Sequence, residues 1–122
     1  MYSESYMSKL WRSALLVVYK NSCAMCGKAD NTLQAHHIVY RRRKILRWDL
    51  NNGIILCNTC HKKAHTKIGE IEIARIIGSK QYNYLCENEN VLFKTYLVKL
   101  GITQKEFIKE QAEILKSVIK EA

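Results

Sequence analysis

Two cysteine pairs, Cys23-x2-Cys26 and Cys57-x2-Cys60, stand 30 residues apart in a chain of 122. Thiolates at this spacing reach one tetrahedral Zn(II), and two such pairs close its shell. A four-thiolate site leaves no open position for substrate, so its role is structural. In small domains such metal binding contributes about 10–16 kcal/mol to folding. Two other readings are unrelated buried thiols and a redox pair. Neither pair sits at the strand-to-helix turn of a thioredoxin-like pattern, which disfavours the redox reading. Cys86 is left over and reads as a small buried hydrophobe.

All four histidines fall between residues 36 and 65. His61 and His65 are four apart on an expected helix, on one face about 6 Å from each other. Such a pair can share a metal ion. His36 and His37 are adjacent on an expected strand, whose successive side chains point to opposite faces. Both serve one site only if the strand ends or bulges there. Histidines could replace cysteines in the zinc shell, but two complete cysteine pairs argue against it. The pattern therefore points to a second, functional metal ion, with one imidazole spare for proton transfer.

These residues need elements to carry them. Leu10, Ala14, Val17 and Val18 recur at helical spacing within residues 8–20. Asn21 and Ser22 end that helix, and the first cysteine knuckle follows. Residues 33–39 read as a strand, 41–52 as a polar, basic connection and 53–56 as a second strand. A helix is expected over 58–67, capped by Asn58 or Thr59. Residues 70–77 and 91–100 read as helices stopped by Gly78 and Gly101. Thr103 and Glu106 form a capping-box pattern. Phe107, Ile108, Gln111, Ile114, Leu115, Val118 and Ile119 then repeat at helical period. That stripe fits a helical buttress on the core or, alternatively, a dimerisation helix.

The formal net charge is +9, and its position is the informative part. Residues 41–67 carry eight Lys/Arg against Asp49 alone, whereas residues 68–122 are balanced. A focused basic patch is the footprint of a polyanion binder; a solvated basic face is the plainer reading. Arg41, Arg42, Arg43, Lys44 and Arg47, together with Lys62 and Lys63, are the candidate phosphate contacts. Trp48 reads as a packing anchor or as a base-stacking residue.

Composition narrows the class further. Apolar residues make up 48% and charged residues 25%, which is ordinary for one globular domain and not for a disordered chain. The longest apolar run, Ala14 to Tyr19, is six residues, against roughly 20 for a membrane span. It is also too short and too far in for a signal peptide's apolar region. A reducing, cytoplasmic setting is expected, where paired cysteines speak for metal and not for disulfides.

With these residues in place, His36-His37-Ile38 followed by Asn52-Gly-Ile-Ile-Leu-Cys57-x2-Cys60-His61-x3-His65 resembles the HNH nucleases. The helix running into Cys23-x2-Cys26-Gly27 is similar to the zinc-bearing branch of that family, so the resemblance covers residues 9–67. It implies an α+β fold: a ββα-metal core with a four-cysteine zinc knuckle pair, flanked by an N-terminal helix and a C-terminal helical extension. Residues 1–67 would form the nuclease core, and 68–122 an extension packed on the same domain. The resemblance makes His36 and His61 metal ligands, His65 an extra ligand, and His37 the general base. Asn52 would orient the base and hold the loop.

The implied activity is metal-dependent hydrolysis of DNA phosphodiester bonds, by nicking or double-strand cleavage, in a monomer or homodimer. The implied cofactors are a structural Zn(II) and a catalytic divalent ion: Mg, Mn, Ni or Zn. A non-catalytic zinc-stabilised DNA-binding module is the alternative. Arg42-Arg43, Leu46-Arg47-Trp48-Asp49, Gly78 and Tyr82 are loosely similar to the phage NinG/Rap recombination endonucleases. That likeness implies a phage origin, action in the host cytoplasm and branched DNA as substrate.

Overall fold

In the computed structural model, which describes residues 2–121, six helices surround one small hairpin. Helix α1 (Glu4–Val18) opens the chain, and strand β1 (Gln34–His37) pairs with β2 (Gly53–Leu56). Helices α2 (Asn58–Ala64), α3 (Lys67–Ile77), α4 (Ser79–Asn88), α5 (Phe93–Leu100) and α6 (Gln104–Lys120) follow. The strands are antiparallel, with His36 opposite Ile54 and His37 opposite Gly53.

Helix α1 begins before the expected residue 8 because Ser3 accepts the Tyr6 N–H and Glu4 sits in the first turn. Its inner face buries Met7, Trp11, Ala14 and Leu15. Lys20 and Asn21 then take φ of 54°, left-handed values that turn the chain into the first knuckle. Helix α6 carries the complete Thr103–Glu106 capping box and packs along α1. Phe107, Ala112 and Leu115 are buried while Ile114 faces solvent. The stripe is therefore a buttress, narrower than its sequence spacing suggested.

The main core gathers Trp11, Leu15, Ile54, Ile55, Leu56, Cys57 and Leu115 between α1, the hairpin and α6. A second cluster joins Val39, Ile45 and Leu46 of the inter-strand connection to Leu85 of α4. That connection is not merely polar. Its apolar residues turn inward, and Trp48, 3% exposed, is a packing anchor.

Four local readings need correction. Helix α2 is capped by Cys57, whose Sγ accepts the Cys60 N–H at 3.5 Å, and not by Asn58 or Thr59. It ends at Ala64, and α3 restarts from a Thr66 cap. Gly69 permits that junction, since a Cβ there would lie 1.9 Å from the Lys63 carbonyl oxygen. Helix α4 lies where no element was expected, because its sequence is polar and buries only Leu85. Cys86 on α4 is exposed, not buried.

Candidate metal centres and the loop beside them

The four knuckle cysteines converge. Cys23 leads out of α1, Cys57 ends β2 and Cys60 lies in the first turn of α2. All four sulfurs lie within 4.8 Å of one another. Cys26 and Cys57 Sγ are 3.7 Å apart, close to the roughly 3.8 Å edge of a tetrahedron with 2.3 Å metal–sulfur bonds. Each knuckle closes on itself in the same way, with the Cys26 N–H donating to Cys23 Sγ and the Cys60 N–H to Cys57 Sγ, both at 3.5 Å. The Ala24 N–H also donates to the Ile55 carbonyl at 2.8 Å, docking the first knuckle on β2.

Electrostatics argues for a cation among these sulfurs. Burial raises the Cys23 thiol, but amide donors at Cys26, Cys57 and Met25 outweigh it and bring it down to about 6. Burial, then the neighbouring sulfurs, push Cys60 the other way, well above the ordinary thiol value. Four like groups this close cannot all ionise without a positive charge between them. The donor set therefore fits a metal such as zinc.

The second cluster comprises His36, His61 and His65, whose ligand nitrogens also lie within 4.8 Å of one another. Ring centroids are 5.1 Å apart for His36–His61, 5.3 Å for His36–His65 and 5.1 Å for His61–His65. Edges, not faces, meet, which is how three imidazoles turn nitrogens toward a common point. His36 is held down to about 4 by burial, then by the facing His61 and His65. His61 is lowered by burial and by His65. His36 and His61 are thus favoured as neutral imidazoles with free lone pairs, the form that binds a divalent ion.

His37 is not in this cluster. It points to the other face, as strand alternation requires, and lies at the very end of β1. Its ring stacks on Trp11 with centroids 4.0 Å apart and planes 16° from parallel. Its Nε2 lies 2.9 Å from the Arg47 carbonyl. A carbonyl only accepts, so Nε2 carries the proton and the neutral ring keeps its lone pair on Nδ1. Burial lowers the His37 pKa; the Arg47 hydrogen bond opposes this, and the charges of Arg41 and Arg47 add to the lowering.

Asn52 is fully buried and does not bond to His37. Its Oδ1 accepts the Val39 N–H at 2.6 Å, and its Nδ2 donates to the carbonyls of Val39 (3.0 Å) and Leu46 (3.1 Å). It pins both ends of the inter-strand connection, one residue from the Arg47 carbonyl. Asn52→Ala leaves the Val39 amide and carbonyl without partners, whereas the Leu46 carbonyl keeps the Asp49 N–H at 3.1 Å. At about 1–3 kcal/mol per orphaned buried group, urea unfolding should show a loss of at least about 2 kcal/mol. An unchanged midpoint would mean that water replaces the side chain without cost.

The basic residues divide. Arg41, Arg42, Lys44, Lys62 and Lys63 are exposed. Lys63 pairs with Glu72 at 2.6 Å, and Lys44 lies over the Phe93 ring. Arg43 is half-buried. Arg47 is turned inward, its Nε donating to the Arg41 carbonyl and its guanidinium pairing with Glu4, both at 2.5 Å. Its role here is to brace the loop. Trp11 and Asp49 belong to the same surroundings but carried no site signal in the sequence, since neither lies in a metal-ligand or basic pattern.

No curated protein and no solved structure matches the chain. Residues 23–67 match the family model of HNH endonucleases, a span holding both cysteine pairs, all four histidines, Asn52 and the basic loop. The antiparallel hairpin, the helix that follows it and the clustered thiols all lie within this span, which is similar to HNH endonucleases.

Proposed function

We propose that the protein is a metal-dependent endonuclease that hydrolyses DNA phosphodiester bonds. The observation that carries this reading is the convergence of His36, His61 and His65 beside a separate four-cysteine site. A DNA-binding module needs one structural metal; a second, three-imidazole set with room for further ligands fits catalysis. Cys23, Cys26, Cys57 and Cys60 would hold zinc, which would tie the knuckles to the hairpin. His36, His61 and His65 would hold a divalent ion, which would supply Lewis-acid polarisation of a phosphoryl oxygen and neutralise charge on the leaving 3′ oxygen. Imidazole ligands favour Mn, Ni, Co or Zn over Mg.

His37 acts as general base through Nδ1, because Nε2–H is committed to the Arg47 carbonyl. Its lowered pKa keeps it neutral at pH 7, ready to take a proton from the attacking water. Asn52 acts at a distance, by holding the connection that carries that carbonyl. The products expected are a 5′-phosphate and a 3′-hydroxyl.

The exposed cations beside the hairpin fit contacts to the DNA backbone, not to bases. Replacing Arg41, Arg42 and Arg43 together with Ala should weaken binding about equally for all sequences. The log–log salt slope should become shallower by about 0.9 per lost phosphate contact. An unchanged slope would make the run a solvated face.

The residues behind the phage recombination likeness, Leu46, Arg47, Trp48 and Asp49, pack or brace the loop. Flap and four-way junctions should therefore be compared with plain duplex before branched DNA is assigned as the substrate. The test of the activity is supercoiled plasmid incubated with Mg, Mn or Ni. Conversion to nicked or linear DNA that a chelator abolishes supports the nuclease; binding without conversion under every metal supports a non-catalytic module.

A further inference from the structure

Resting on the nuclease reading, we infer that Tyr84 of α4 is a positioning residue for the general base, acting on His37 through Asp49 and Trp11. The C-terminal extension thereby serves the reaction without touching the DNA.

Asp49 is the fastener. Its Oδ2 accepts the Tyr84 hydroxyl, and its Oδ1 accepts the Asn51 N–H at 2.9 Å. Its main-chain carbonyl accepts both the Asn52 N–H and the Trp11 Nε1–H at 3.0 Å. Tyr84 thus holds the side chain of the residue whose backbone holds Trp11. Trp11 in turn lies flat on the His37 ring. The other hold on His37, the Arg47 carbonyl, comes from the same connection two residues upstream.

The two holds do different things. The hydrogen bond decides which nitrogen carries the proton but leaves the imidazole plane free to rock about that bond. The indole face removes this freedom and sets the direction of the Nδ1 lone pair. Gly53, opposite His37 in the hairpin, makes the stack possible. A Cβ there would lie 2.6 Å from Trp11 Cζ2 and 2.3 Å from Leu15 Cδ1. To these local holds is added an anchor from a helix more than thirty residues further along the chain.

The test uses the full-length, zinc-loaded protein and the variant Tyr84→Phe, which removes one hydroxyl and leaves Leu85 in its cluster. Proton–carbon NMR of the imidazoles should show the His37 ring protons shifted upfield by the Trp11 face in the parent and moved toward unstacked values in the variant, with the Nε2–H tautomer kept in both. Single-turnover cleavage at saturating DNA should fall about tenfold, in line with the cost of a misplaced catalytic group. DNA affinity and zinc content should not change. In a His37→Ala background the same substitution should change the residual rate by no more than about twofold, because residues acting as one unit are not additive. Trp11→Phe keeps a ring face but loses the N–H to the Asp49 carbonyl, and should lower the rate by a similar factor with the Nε2–H tautomer kept.

Two results would overturn the inference: an unchanged His37 spectrum in Tyr84→Phe, or a tenfold loss that persists without His37. If the parent cuts no DNA with any metal, the nuclease reading fails. The NMR comparison still decides whether Tyr84 holds His37.

Discussion

Replacing Cys57 with serine is expected to abolish cooperative folding, not merely to lower stability. Net stabilities of single domains are about 5–15 kcal/mol, and a structural zinc site contributes about 10–16 kcal/mol. Losing the site removes as much free energy as the fold has to spare. Serine is the informative replacement because Cys57 also caps α2, and serine is a good N-cap. The substitution keeps the cap, so what is lost is the thiolate. Purified parent protein should retain zinc through dialysis, whereas the variant should bind none and show no cooperative urea transition by circular dichroism. A sharp transition near the parent midpoint would mean that the apolar contacts of Trp11, Leu15 and Ile54 to Leu56 suffice, and that the cysteines are not structural.

The largest effect on the reaction is expected from His37→Ala. A general base contributes in the transition state and little to binding, so DNA affinity and zinc content should stay near the parent values. Cleavage should fall by about two to four orders of magnitude. The stack on Trp11 adds a stability cost not legible in the sequence, about 0.5–1.5 kcal/mol for an aromatic pair. The vacated space between Trp11 and the Arg47 carbonyl should admit free imidazole, which should restore part of the rate. His36→Ala and His61→Ala should instead weaken the exchangeable metal, with recovery at high metal concentration. Normal cleavage by His37→Ala alone would reverse the roles of the two adjacent histidines.

Much of the site was legible because its signals are local. The cysteine spacing, the i, i+4 pair His61–His65, the second strand over Gly53–Leu56 and the Thr103–Glu106 box each lie within a few residues. The structure gathers the cysteines and the His61–His65 pair as these patterns imply, and brings His36 to them as the family resemblance implied. What could not be read is non-local. Trp11 lies 26 residues before the ring it stacks on, and Tyr84 lies 35 after the carboxylate it anchors. The burial of Ile45 and Leu46 depends on a helix that comes later in the chain, so within their own basic stretch they look like isolated apolar residues, and Trp48 packs against Trp11 far before it. Helix α4 was missed because a helix that buries one side chain has almost no apolar period to detect.

The most direct measurement is single-turnover cleavage of a labelled duplex against added Mn(II) or Ni(II), using protein stripped of exchangeable metal but retaining its tightly held zinc. Cleavage should be absent without added metal and should saturate with it, and His36→Ala and His61→Ala should need markedly more metal to approach the same rate. Cleavage that survives chelation, or identical metal curves for the parent and both variants, would contradict a catalytic ion on His36, His61 and His65.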